Sequence, residues 1–256
     1  MWILDLSLTL LYPPRCPSCA RALRRTAEPG LCRGCVAQLE PPGPACPSCG
    51  EPGSDDRCAA CVASPPPFTR ARACFVYREG ELSSALLQRW KYHRDHVVGR
   101  SLERLFATHR QRPGECYDVL VPVPLHASRL ASRGFNQAAL LARAALLAGE
   151  RLAPQALRRS SVTQSQASLG RSARAGNVLH AFEIAAPGSV RGSSVLLVDD
   201  VLTTGATARA CATVLRAAGA TTVDVWTLAR TPRSTTFAAD RGRVPGPSTS
   251  GLRGAR

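Results

Sequence analysis

The stretch "VLLVDDVLTTGAT", residues 195–207, runs four apolar residues into two adjacent carboxylates and then into small residues and hydroxyls. Like charges at the end of an apolar run belong where a ligand meets them. Small residues opening a helix leave backbone N–H groups accessible, and the positive end of the helix favours an anion. Thr203, Thr204 and Thr207 add hydroxyl donors, while Gly205 and Ala206 keep the approach open. That cradle suits a single phosphate. Asp199 and Asp200 would repel the same phosphate, so they suit sugar hydroxyls or a Mg²⁺ attached to them. A sugar with a phosphate at one end and a diol beside it, a 5-phosphoribosyl group, satisfies both halves.

A second chemistry sits in the first quarter of the chain. Eight of its eleven cysteines form the pairs Cys16/Cys19, Cys32/Cys35, Cys46/Cys49 and Cys58/Cys61, in "CPSC", "CRGC", "CPSC" and "CAAC". Two such knuckles bring four thiolates around one tetrahedral Zn²⁺. Sequential pairing needs only short hairpins. It assigns Cys16, Cys19, Cys32 and Cys35 to one structural zinc, and Cys46, Cys49, Cys58 and Cys61 to another; a cross-braced arrangement is the alternative. Disulfides are disfavoured if the chain resides in the cytosol, and a redox CxxC usually comes singly. Closed Cys₄ sites leave no open position for catalysis. Cys74, Cys116 and Cys211 stand alone in apolar contexts and read as small core residues.

The formal net charge is +15. Eight thiolates and two Zn²⁺ would bring it to +11. Such a balance suits anionic partners, although Lys91 is the only lysine and a compositional bias toward arginine explains the charge equally well. The opening "MWILDLSLTLLYPP" has no basic leader and contains Asp5. It reads as a short helix stopped by prolines, not as a signal peptide, and is too short to span a bilayer.

These sites need elements to hold them. "ARACFVYR" (71–78), "YDVLVPVP" (117–124), "SVLLVDD" (194–200) and "TTVDVWTLAR" (221–230) read as strands. "GELSSALLQRWKYH" (80–93) and "VVGRSLERLFATH" (97–109) have helical spacing, with Trp90 in the core and Lys91 exposed. Residues 128–149 read as mostly one long helix, and 203–219 as a helix closed by Gly219. "VTQSQASLGRSARAGNV" (162–178) is a polar, basic loop. Continuous apolar strands alternating with helices mean an α/β fold with a parallel sheet, whose ligands sit beyond the carboxyl ends of the strands. The divisions expected are an N-terminal helix with the cysteine module over 1–64, an α/β domain over 68–230, and a basic, disordered tail over 231–256. "VLLVDD" also suits a receiver domain, but no lysine follows Lys91 and too little chain remains after residue 230.

The stretch 195–207 resembles the ribose-phosphate loop of type I phosphoribosyltransferases. Over roughly residues 6–230 the chain resembles the ComF family, competence-associated phosphoribosyltransferase-like proteins with an N-terminal double zinc ribbon. "LLYPPRCPSC", "VPVPLHASRLASRGFNQAALLA", "TQSQASLGRSARAGNVLHAF" and "VLLVDDVLTTGATARA" carry the resemblance. It implies a type I phosphoribosyltransferase-like sheet flanked by helices, with Asp199 and Asp200 on the ribose hydroxyls. Residues 203–207 would hold the 5-phosphate. Arg129, Arg133, Asn136 and Gln137 would face the pyrophosphate, with Arg133 in a catalytic role beside the aspartates. Thr163, Gln166, Arg174 and Asn177 match the family's loop pattern, although residues 160–168 hold no evident group to activate an acceptor.

Two functions follow from the resemblance. One is transfer of phosphoribosyl from a phosphoribosyl pyrophosphate/Mg²⁺ complex to an unknown acceptor, in association with DNA uptake. The other is non-catalytic handling of single-stranded DNA in natural competence on the same fold. The partners implied are phosphoribosyl pyrophosphate or ribose phosphate, single-stranded DNA, and a competence helicase or other DNA-uptake protein. The location implied is cytoplasmic, with peripheral attachment at the inner membrane as the variant.

Overall fold

The computed structural model of the chain describes residues 14–23, 30–53, 55–111, 115–159 and 181–233. At its centre lies a five-stranded sheet in the order β1 (Ala71–Val76), β7 (Thr222–Arg230), β6 (Ser194–Leu202), β2 (Val119–Pro122), β3 (Arg151–Leu152). Every pairing in it is parallel. The central strands β6 and β7 are nine residues each. Their apolar runs are unbroken because helices cover both faces. Leu196, Val198, Trp226 and Leu228 pack on one side, and Val195, Leu197, Val223 and Val225 on the other.

The first face carries α3 (Leu82–His93), α4 (His96–Arg110) and α6 (Gln137–Ala144). Leu86, Leu87, Trp90, Leu102, Phe106 and Leu141 from these helices join that core. Asp95 starts α4, its carboxylate accepting from the amides of Val97 and Val98 at 3.1 and 3.0 Å. The opposite face carries α7 (Ala206–Ala217), which buries Ala208, Cys211 and Leu215. Gly219, at φ +94°, follows that helix as expected.

Three expectations need correction. Residues 128–149 are not one helix but α5 (Ala127–Arg133) and α6. Gly134 breaks the run at φ +83°, and Asn136 caps the next helix by accepting from the Ala138 amide at 3.0 Å. Apolar spacing alone does not register this stop-and-restart. Cys116 is exposed, because β2 begins only at Val119. The strand carrying the acidic pair continues to Leu202, beyond the expected end at Asp200. A small antiparallel pair, β4 (Leu157–Arg159) with β5 (Phe182–Ile184), was unforeseen; three-residue strands are too short to show a period. No helix among the described residues is long and apolar enough to cross a membrane.

The two cysteine ribbons repeat one hairpin. Arg15 bridges Ala22, and Ala45 bridges Pro52; in each turn the residue after the second cysteine, Ala20 or Gly50, donates to the first cysteine's carbonyl at 2.8 Å. The short helices α1 (Arg33–Val36) and α2 (Ala59–Ala63) carry the second knuckles. Leu31, Cys32, Cys35 and Leu39 belong to the same apolar cluster as α3 and α4.

Candidate functional site

Both cysteine clusters form as sequential pairing predicts. The sulfurs of Cys16, Cys19, Cys32 and Cys35 lie within 4.8 Å of one another, as do those of Cys46, Cys49, Cys58 and Cys61. The shortest approaches are 3.5 Å (Cys19–Cys32) and 3.6 Å (Cys49–Cys58), near the roughly 3.8 Å edge of a tetrahedron with Zn–S bonds of about 2.3 Å. The polypeptide itself favours thiolates at the leading cysteines. Burial pushes the Cys16 thiol up, but the amides of Cys32, Cys19 and Ser18 outweigh it and bring it to about 7. Burial likewise raises Cys46, and the amides of Cys58, Cys49 and Ser48 bring it to about 6. The donor sets fit two structural zinc ions.

The acidic pair sits near the carboxyl end of β6. Asp199 lies opposite Thr227 of β7 and accepts from the Asp200 amide at 2.8 Å. Burial pushes its carboxyl up to about 7, and the Asp200 charge adds to the rise; the Asp200 amide, Lys91 and Arg159 oppose it. Beyond Leu202, Thr203 and Thr204 are exposed and Gly205 is buried. Gly205 adopts φ +82° as the N-cap of α7, a conformation that costs glycine little. Thr204 Oγ1 accepts from the Ala206 amide at 3.4 Å. Ala206 and Thr207 are half-buried in the first turn of the helix.

The other candidate residues cluster at the end of β2. His126 caps α5 by accepting from the Ser128 amide at 3.2 Å. Arg129 is exposed and Arg133 half-buried. The Arg133 guanidinium lies 5.3 Å from the Tyr92 ring centroid and donates to Gln137 Oε1 at 3.4 Å. Asn136 Nδ2 donates to the Val123 carbonyl at 3.0 Å, so this side chain ties the residue that follows β2 to α6. Gln137 is buried, its Nε2 without a partner among the described residues. Thr163, Gln166, Arg174 and Asn177 lie outside the described residues, as do residues 1–13 and the tail from 234 onward.

Two site residues escaped the sequence reading. Lys91 is not an exposed charge: its Nζ lies 2.9 Å from Asp200 Oδ2, with side-chain exposures of 18% and 15%. It thereby joins the acidic strand to a cleft of about 370 Å³ lined by Lys91, Tyr92, Arg94, Arg129 and Arg133, with Ser128 and Ser132. Its being the only lysine in an arginine-rich chain was the available signal. Arg159, the last residue of β4, has a buried Nε without a partner among the described residues. Burial and the Arg129 charge lower its pKa, while Cys211 and Asp199 oppose that shift. Carboxylates, a helix N-terminus and a cationic cleft thus share one edge of the sheet. Such a site can hold a ligand with separated hydroxyl and anionic groups.

The "Double zinc ribbon domain" family model matches residues 7–62, and the "Phosphoribosyl transferase domain" model matches residues 91–241. The chain is 32% identical over 238 residues to a DNA utilization protein YhgH of Salmonella typhimurium, covering 90% of this chain and 96% of that protein. It is 32% identical over 233 residues to a competence protein F of Haemophilus influenzae, covering 84% and 96%. With a competence protein ComFC of Streptococcus pneumoniae the identity is 29% over 211 residues, covering 81% and 91%.

Proposed function

Because the chain belongs to the ComF family, which joins a double zinc ribbon to a phosphoribosyltransferase domain, we propose that it binds a phosphoribosyl pyrophosphate/Mg²⁺ complex and transfers the phosphoribosyl group to an acceptor. The observation that carries this reading is the run of the Asp199–Asp200 pair through Leu202 directly into the N-terminus of α7. In this reading Asp199 and Asp200 accept from the ribose hydroxyls. The amides and hydroxyls of residues 203–207 take the 5-phosphate. Arg129 and Arg133, with Lys91 beside Asp200, face the pyrophosphate and stabilise its charge as the bond to the sugar breaks. Mg²⁺, arriving with the ligand, would neutralise part of the leaving group's charge. The Asp199 carboxyl is raised by burial and by the Asp200 charge. Hydroxyl donors would favour its charged form on binding.

The test is calorimetric titration of the full chain with phosphoribosyl pyrophosphate and Mg²⁺. Wild type should bind, and Asp199→Asn/Asp200→Asn should bind at least about tenfold more weakly, a loss of about 1.4 kcal/mol, with an unchanged circular dichroism spectrum. Equal affinities would remove these residues from the ribose.

A second reading, handling of single-stranded DNA, is favoured by the cationic cleft and by Tyr92, which is 66% exposed beneath Arg133. Aromatic faces with neighbouring arginines are how strands are held without sequence preference. The names of the relatives, DNA utilization and competence proteins, point the same way. Fluorescence anisotropy on labelled oligo-dT should then show a log–log salt slope of about −0.7 per phosphate contacted. Competition by phosphoribosyl pyrophosphate would put both ligands in one cleft. Absence of binding at low salt leaves the transferase reading alone.

A further inference from the structure

Glu51 stands two residues after Cys49, and its backbone is part of the second cysteine cluster. Its amide bonds the Cys49 sulfur, and its carbonyl accepts from the Cys46 amide at 2.9 Å. Its side chain engages a different part of the molecule. Oε2 accepts from Arg230 Nη2, and Oε1 accepts from the Arg233 amide at 2.6 Å. Arg230 ends β7 and is fully buried. Its Nη1 donates to the carbonyl of Leu202 at 2.9 Å and to that of Thr203. Arg233 Nη2 donates to the Thr204 carbonyl at 3.1 Å.

Three successive carbonyls, those of residues 202, 203 and 204, are therefore held by two arginines that share one carboxylate. Peptide groups are planar and trans. Fixing these carbonyls fixes the N–H groups of residues 203, 204 and 205, which point the opposite way. Those N–H groups lie in the loop assigned above to the 5-phosphate. A second strap runs parallel to the first: Arg209 of α7 donates to the carbonyls of Ser64 at 2.7 Å and Pro65 at 3.1 Å, just past α2 of the same ribbon. Gly50 seats the ribbon against the sheet, since a Cβ there would lie 2.7 Å from the Ala71 carbonyl. A buried guanidinium is tolerated only with its counter-charge. Loss of Glu51 leaves Arg230 to seek solvent and to release the loop carbonyls.

We propose that Glu51 is a positioning residue which, through Arg230 and Arg233, sets the peptide planes of residues 202–205, so that metal occupancy of the second cysteine cluster and anion affinity at residues 203–207 are coupled. The coupling to an anion rests on the phosphoribosyl reading of that loop; the mechanical link from Glu51 to the loop does not. Zinc would act by holding the Cys46–Cys49 turn that aims Glu51. Coupling is reciprocal: a ligand on the loop must strengthen zinc binding in the second cluster by the factor by which zinc strengthens the ligand.

The experiment compares wild type, Glu51→Ala, Glu51→Gln and Cys58→Ser/Cys61→Ser as full chains. Zinc content, amide hydrogen exchange over residues 201–208, and affinity for phosphoribosyl pyrophosphate/Mg²⁺ are measured for each. Glu51→Ala should keep two zinc ions yet exchange its loop amides faster and bind the ligand more weakly, the affinity falling by a factor of about 5–150. Glu51→Gln keeps one acceptor oxygen and loses the charge and the second acceptor, so it should fall between; it carries the comparison if the alanine variant loses metal. The double cysteine variant should keep one zinc and show the same loop exchange as Glu51→Ala. Saturating ligand should make one of the two wild-type zinc ions harder to extract by a competing chelator. Wild-type loop exchange in both Glu51 variants and in the cysteine variant overturns the proposal. Failure of wild type to bind phosphoribosyl pyrophosphate would sink the phosphoribosyl reading, while the exchange comparison would still decide whether Glu51 positions the loop.

Discussion

At the scale of single residues, the candidate site is a set of charges held against their preferences. Asp199 is half-buried beside Asp200, and its carboxyl is pushed up to about 7. A carboxyl whose folded pKa exceeds its unfolded value stabilises the fold fully below the unfolded value of about 4 and loses that contribution as pH rises to about 7. Asp199→Asn removes the penalty. The empty variant should be more stable than wild type at pH 8 by on the order of 2 kcal/mol and equal to it near pH 4, as read from urea denaturation at both values. Lys91 opposes the rise, so Lys91→Met should move the carboxyl titration of Asp199 to higher pH, seen in the side-chain carbon shifts by NMR. A titration unmoved by loss of Lys91 would place the 2.9 Å pair outside the electrostatics of the site.

At the scale of elements, two glycines set the geometry around the cleft for different reasons. Gly134 ends α5 at φ +83°, and a Cβ there would meet nothing within 4 Å. Gly134→Ala should therefore cost only the backbone strain, about 1 kcal/mol. Gly99 lies in α4 with ordinary helical backbone, but a Cβ would sit 2.5 Å from Trp90 Nε1. Gly99→Ala should push Trp90 and α3 away from α4 at a cost of about 1–3 kcal/mol. Because Lys91 follows Trp90, that variant should also disturb the Lys91–Asp200 pair and bind ligand less well. The comparison requires only thermal melts and one titration. A Gly99→Ala cost below about 1 kcal/mol with unchanged ligand binding would contradict the packing of α3 on α4.

At the scale of the whole molecule, the ribbons are parts of the fold and not appendages. Leu31, Cys32, Cys35 and Leu39 share a core with Trp90, Leu102 and Phe106, Arg89 donates to the Pro17 carbonyl at 2.7 Å, and Arg78 pairs with Glu40 at 2.7 Å. Metal binding of this kind contributes directly to folding free energy. Elemental analysis of chelator-free protein should find two Zn²⁺ per chain. Strong chelation should lower the melting temperature of the whole chain in one cooperative transition, followed by near-UV circular dichroism of the tryptophans. A separate low-temperature ribbon transition that leaves the Trp90 and Trp226 signals unchanged would contradict the shared core.

Local chemistry was legible in the amino-acid order. Four CxxC pairs at short intervals determine two metal clusters, because a knuckle is a contiguous turn and its partner is the next one along. "SVLLVDD" and "TTVDVWTLAR" reveal the central parallel strands, because burial on both faces leaves unbroken apolar runs. "DDVLTTGAT" marks the turn from strand to helix, since the strand end and the helix start are neighbours in sequence. What the order could not disclose are relations between distant residues. Lys91 reached Asp200 only because α3 packs over the carboxyl edge of β6, and the spacing of a helix does not say where its last turn will land. Arg230 looked like the end of a strand until the sheet brought it between Glu51 and Thr203, more than 170 positions apart in the first case. The helix break at Gly134 was written in "RGFN" but masked by apolar spacing that continued across it. Contiguous motifs carry their own geometry; ion pairs across the fold exist only once the chain has closed.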